Sequence, residues 1–177
     1  FQLAFGNNWS DAHADFHLAT ETVVEIARAT LSNGGSIWIA EAGQSDFSAE
    51  LVEALQAQAP TINTHQRVHI VQHSDWNEKV TSSQGLTFVK RNTFYHKSPD
   101  GNVVGNGSPG FRSSDIIKLE EFIQNPHILA VWRLAQELSD TYNGQEGRYL
   151  NKDIQAGGLD FSDFSEVCWI LGLAQIK

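Results

Sequence analysis

The sequence predicts an α/β fold, a parallel sheet flanked by helices, on three observations. Two short apolar runs, Ser36-Ile37-Trp38-Ile39-Ala40 and Val68 to Val71, end abruptly in small or polar residues. That is the pattern of buried strands whose carboxyl ends open into a crevice. A helical pattern precedes each run, and the resulting order of helix, strand, helix, strand implies a βαβ unit with a right-handed crossover. Finally, 177 residues suffice for a single domain with a sizeable core and are too few for two comfortable ones.

In chain order, Gly6-Asn7-Asn8 signals a turn after Leu3, Ala4 and Phe5. Ser10 or Asp11 can then cap a helix, because a side-chain oxygen there accepts from the free amides of the first turn. Phe16, Ala19, Val23, Ile26, Ala27 and Thr30 recur at three- and four-residue steps and form an apolar stripe running to about Leu31, stopped by Asn33-Gly34-Gly35. The first strand ends in Glu41-Ala42-Gly43-Gln44-Ser45-Asp46. Ser45 or Asp46 can cap the next helix, whose stripe is Phe47, Leu51, Val52 and Leu55 and which Pro60 closes.

The second strand leads into Gln72-His73-Ser74-Asp75-Trp76-Asn77, a cluster of hydrogen-bonding and aromatic side chains at the edge where open α/β sheets hold ligands. Within Glu78 to Lys97, Leu86, Phe88 and Val89 form either a third strand or the end of a helix begun near Thr81 and interrupted at Gly85, and a mixture of helix then strand is the favoured reading. Ser98-Pro99-Asp100-Gly101-Asn102 is a strong turn, and Gly105 to Gly110 continues it as a long loop. Ser113, Ser114 or Asp115 can cap a helix reaching Ile123, and Pro126 opens another through Leu138. Asp160, Ser162 and Asp163 offer capping chemistry ahead of the apolar Val167-Cys168-Trp169-Ile170-Leu171.

Composition narrows the function classes. A net charge of -9 without a clustered Lys/Arg stripe argues against nucleic acid as a partner, and no apolar run approaches the length of a membrane span. The single cysteine, Cys168, sits among apolar neighbours and reads as a buried structural thiol. The chain neither begins with Met nor contains one, which fits a processed or truncated piece. Compartment and oligomeric state, including a homo-oligomer, stay open.

Seven histidines invite a metal reading, but His65, His69 and His73 spread over a strand are too far apart to share an ion. His13 and His17 lie on one helix face without the Glu of a zinc-protease helix and read as solvated. Gly105-Asn106-Gly107-Ser108-Pro109-Gly110 matches G-x-G-x-x-G, but it follows a turn, and Pro109 removes an amide that a phosphate would need, so it reads as a flexible loop. Neither Ser45 nor Ser74 sits in a G-x-S-x-G turn. Asp160 and Asp163, three apart ahead of an apolar helix, are either caps or hard oxygen ligands for calcium.

Taken together, the strand ending in Ala42-Gly43-Gln44-Ser45-Asp46, the helix, Pro60 and the strand ending in His73-Ser74-Asp75-Trp76-Asn77 resemble the middle of the nucleoside hydrolase-like superfamily, with its Rossmann-like core. The His-Ser-x-Trp-Asn run and the late Asp160-Phe161-Ser162-Asp163 are closest to an uncharacterised bacterial branch of it. The resemblance implies a hydrolase acting on an N-glycosidic bond of a ribosyl or related sugar compound. It implies a calcium ion that holds the sugar hydroxyls and activates a water. Asp163 would be the metal-side aspartate, with Asp160 the second choice. Asn77 would contact a sugar hydroxyl, Trp76 or Trp38 the ring, and His73 and Asp46 would complete the substrate edge. The family's aspartate-rich opening turn has no counterpart in residues 1 to 35, so the front of the protein lies outside this chain or the chemistry has been lost. The competing expectations are a non-catalytic nucleoside or carbohydrate module, with the tryptophans as stacking platforms, and an interaction domain without a small-molecule site.

Overall fold

A computed structural model of the chain describes residues 2–5, 8–11, 15–100, 121, 123–145, 150–155 and 163–173. The fold is α/β, and the chain divides into two compact units, Phe1–Ser98 and Pro99–Lys177.

The first unit opens with an antiparallel pair, β1 (Gln2–Phe5) and β2 (Asn8–Asp11), where the sequence suggested only a turn and a helix cap. Ser10 and Asp11 are therefore strand residues. The helix α1 (Phe16–Ser32) is capped instead by Asp15, which has the extended backbone a cap requires and accepts from the Leu18 N–H at 2.9 Å. Gly34, at φ +85°, takes the chain away from the helix end in a conformation that glycine adopts without a steric penalty.

Strand β3 (Ile37–Glu41) is followed by α2 (Asp46–Gln58) and a single helical turn, α3 (Thr64–Arg67), capped by Asn63. Strand β4 (Val68–His73) runs directly into α4 (Ser74–Val80). Between the two readings of Leu86, Phe88 and Val89 the structure decides for a helix: they lie in α5 (Ser83–Asn92), and the third strand comes after them as β5 (Phe94–Ser98). The sheet order is β3-β4-β5, all parallel, with Ile37 opposite Val68 and His69 opposite Phe94.

Alternation along the strands separates two faces. Ile37 and Val68 join Ala19, Val23, Val24, Ala27 and Leu31 of α1 and Phe47, Leu51, Val52 and Leu55 of α2 in one apolar core, with Ile39 packed against it. Each large aliphatic side chain removed from water there contributes roughly 1.5–3 kcal/mol. On the opposite face Trp38 stacks on His69 with ring centroids 4.0 Å apart, and His69 meets Phe94 at 5.2 Å. These three are the in-register residues of neighbouring strands, so the sheet spacing itself sets the ring ladder.

In the second unit α6 (Pro126–Tyr142) begins as its sequence suggests, with Pro126 in the first turn and the Asn125 side chain accepting from the His127 and Ile128 amides. No residue of α6 is buried, and Ile128, Val131, Leu134 and Leu138 are exposed. Asn143 and Asn151 close the following turn with a reciprocal pair of 2.8 Å bonds, ahead of α7 (Lys152–Gln155). The last helix is α8 (Phe164–Ile170), with Cys168 buried as expected. The Gly105 to Gly110 loop, the cap at Ser113 to Asp115, His13 and Asp160 lie outside the described residues. Among the described residues, no helix is long and apolar enough to cross a membrane.

Candidate functional site

The carboxyl ends of β3 and β4 present two groups of polar side chains. The first lies on the inner face, where parity along the strands puts Glu41 and Gln72 directly opposite each other. Glu41 is 6% exposed and Gln72 is fully buried. The Gln72 Nε2 donates to Glu41 Oε2 at 2.8 Å, to the Gly43 carbonyl at 3.0 Å and to Ser45 Oγ at 2.8 Å. The Ser45 hydroxyl donates to Glu41 Oε2 at 2.5 Å, and the Ser48 hydroxyl to Glu41 Oε1. Burial outweighs these bonds and, with Asp46 nearby, pushes the Glu41 carboxyl up to about 7.

Ser45 does occupy the cap position of α2, but its hydroxyl serves Glu41 rather than the helix amides. Its own N–H donates to Thr81 Oγ1, and the Thr81 hydroxyl in turn donates to the Asn77 carbonyl. The β3–α2 turn is thereby tied to the end of α4. Asp46 is taken up in the same way: its two carboxylate oxygens accept from the Ser82 amide and hydroxyl, joining the start of α2 to the cap of α5.

The second group is the β4–α4 junction. His73 and Asn77 are buried, while Trp76 between them is 65% exposed. Ser74 is buried and has φ +58°, the left-handed region that a non-glycine residue occupies only at a cost of about 1–2 kcal/mol. Its Oγ accepts from the Trp76 N–H at 3.3 Å. A strained residue at the end of a buried parallel strand, turning straight into a helix, is the backbone signature found where an α/β sheet presents side chains to a ligand.

Beside this junction the charges are paired off. Lys97 holds the exposed Asp75, whose carboxyl lies below the usual range because of that bond. Glu78 takes Lys90 at 2.8 Å and the Tyr95 hydroxyl at 3.0 Å, and these bonds outweigh its burial to hold its carboxyl low. Burial lowers His69 and His96, favouring their neutral rings. His17 is fully at the surface beside Glu21, as a solvated helix face should be.

A surface depression of about 600 Å³ lies along α5, lined by Ser83, Gln84, Thr87, Phe88, Arg91 and Asn92. None of the strand-end residues lines it, and its walls come from a single helix, so the chemistry of the strand ends outweighs its size.

In the second unit Asp163 stands at the cap position of α8 without a side-chain cap bond. One of its carboxylate oxygens and one of Glu166 lie within 4.8 Å of each other, and Ser165 donates to the buried Glu166 at 2.9 Å. Two carboxylates at that separation are suited to sharing a hard cation.

Sequence reasoning singled out His73, Trp76, Asn77 and Asp46 but passed over Glu41, Gln72 and Ser48. The signal was present, since Gln72 and Glu41 fall at the inward parity of otherwise apolar strands, where a polar side chain needs a buried partner. No family model, curated protein or solved structure matches the chain.

Proposed function

We propose that the chain binds a ribosyl or related sugar compound at the carboxyl edge of its parallel sheet, as a protein of the nucleoside hydrolase-like class acting on an N-glycosidic bond. The observation that carries the reading is the β4–α4 junction: buried His73 and Asn77, the strained Ser74 and the exposed Trp76 within five residues at a strand end. Hydroxyl and amide groups at the mouth of a strand suit sugar hydroxyls, and an indole exposed beside them suits the apolar face of a sugar or base. The hydrolytic step, attack by a metal-activated water, rests on the sequence resemblance. Taken by itself, the second unit offers in Asp163 and Glu166 carboxylate oxygens of the kind that calcium prefers.

The second reading, a non-catalytic nucleoside or carbohydrate module, is favoured by a separate observation. Around these strand ends the first unit's carboxylates are already engaged: Glu41 by Ser45, Ser48 and Gln72, Asp46 by Ser82, and Asp75 by Lys97. A general base needs an acceptor free to take a proton from water.

Titration with ribose, ribonucleosides and p-nitrophenyl riboside, followed by Trp fluorescence and by release of nitrophenol, separates the two. Binding that weakens at least tenfold in Trp76→Ala and Asn77→Ala, accompanied by turnover, supports the hydrolase. Equal binding without turnover supports the module. Unchanged affinity in both variants removes the site.

A further inference from the structure

We infer that the exposed apolar stripe of α6 is a self-association surface, through which two copies of the chain pair with their α6 helices antiparallel. The helices α1 and α2 bury apolar side chains in the core of the first unit. No residue of α6 is buried, and its Ile128, Val131, Leu134 and Leu138 are 48–69% exposed. Apolar side chains gathered on one side of a helix and left in water mark a surface that meets something else.

The steps of three and four residues along α6 divide it into three faces. Leu129, Trp132, Gln136 and Ser139 form one, half-buried within the unit. Arg133, Glu137 and Asp140 form a second, and all three are exposed. The third carries Ile128, Val131, Ala135, Leu138 and Tyr142, the spacing of a coiled-coil seam, with Leu134 along its flank.

That seam matches itself when reversed. Turned end for end about the point between Leu134 and Ala135, Val131 falls on Leu138 and Ile128 falls beside Tyr142, while Leu134 and Ala135 each fall on their own copy. A surface complementary to itself under a two-fold rotation closes into a dimer. The antiparallel arrangement also sets opposite ends of the two helix dipoles side by side. The charges of α6 lie on the second face, so two chains of net charge -9 bring no like charges together across the seam.

The area suits a weak pair. Ile128, Val131, Leu134, Leu138 and Tyr142 together expose a patch of roughly 400–500 Å². Covering it on two copies removes about 900 Å² from water, close to the roughly 1,000 Å² of a specific contact, which fits a dissociation constant on the order of 10–100 μM. A lipid surface fits less well, because a helix lying on a membrane carries Lys and Arg on its polar face, whereas α6 sets Arg133 against Glu137 and Asp140.

The test uses the full chain and needs no ligand, so it stands apart from the sugar reading. Sedimentation from about 5 to 500 μM is expected to show a monomer–dimer equilibrium that weakens at least tenfold in Val131→Glu and in Leu138→Glu, with helix content retained by circular dichroism. A short bismaleimide reads the direction of pairing, with Cys168 buried and out of its reach. Ala135→Cys is expected to couple to itself. Ile128→Cys is expected to couple only when mixed with Tyr142→Cys, since in the antiparallel pair the two copies of residue 128 stand about 20 Å apart. A chain monomeric throughout, a dimer indifferent to both glutamates, or Ile128→Cys coupling to itself overturns the inference. So does a monomer that floats with phosphatidylcholine vesicles, which assigns the stripe to lipid. Should the glutamate variants lose helix, wild-type sedimentation and the coupling pattern decide by themselves.

Discussion

Glu41 and Gln72 face each other in register across two parallel strands, and the Gln72 amide donates to the Glu41 carboxylate at 2.8 Å inside the sheet. Two polar side chains here stand at positions that the strand pattern reserves for apolar ones. Their bonds extend through Ser45 and Thr81 to the Asn77 carbonyl, so the inner network ties down the carboxyl end of α4, the helix whose first turn carries the proposed ligand residues.

Replacing Gln72 by Leu keeps the volume but removes the donor shared by Glu41, Gly43 and Ser45. The expected loss is about 2–4 kcal/mol, because a buried carboxyl group and a backbone carbonyl lose their partner together. Urea unfolding at pH 7 measures it. A variant within about 0.5 kcal/mol of wild type would show that the network is dispensable.

Ser74 gives a test of opposite sign. Glycine relieves the strain at φ +58°, offset in part by its greater freedom in the unfolded chain, and Ser74→Gly is expected to gain about 0.5–1 kcal/mol. Ser74→Val, β-branched at the same backbone angle, is expected to lose about 2 kcal/mol or more. If glycine destabilises the protein in equilibrium denaturation, the Ser74 side chain contributes more than its backbone conformation costs.

For the second unit, calcium is expected to raise the thermal midpoint. A site of about 10 μM affinity at 1 mM free ion stabilises by roughly 2.7 kcal/mol, since only the folded chain binds. Asp163→Asn removes one carboxylate of the pair and with it most of that shift. A midpoint unmoved by calcium in wild type, measured by scanning calorimetry with magnesium as control, would leave Asp163 and Glu166 as groups of purely structural use.

Much of the fold was legible because it is written in local patterns. Ile37 to Ala40 and Val68 to Val71 announced strands, the Phe47 to Leu55 stripe announced α2, and Pro126 announced α6. The β1–β2 pair was not, since a four-residue strand lacks enough alternation to outweigh a cap signal. The caps show the same limit. Asp11, Ser45 and Asp46 all have the right chemistry, yet the first is in a strand and the other two serve Glu41 and Ser82.

By itself the sequence determined the alternation of helix and strand, the polar strand ends and the candidates His73, Trp76 and Asn77, because these depend on the spacing of neighbouring residues. Tertiary structure alone decided that Glu41 meets Gln72, that Asp46 holds Ser82 and that Ser74 is strained. Those pairings join residues about thirty or more apart or depend on the path of the backbone. Their strength comes from burial, a property that no residue has until the chain has folded around it.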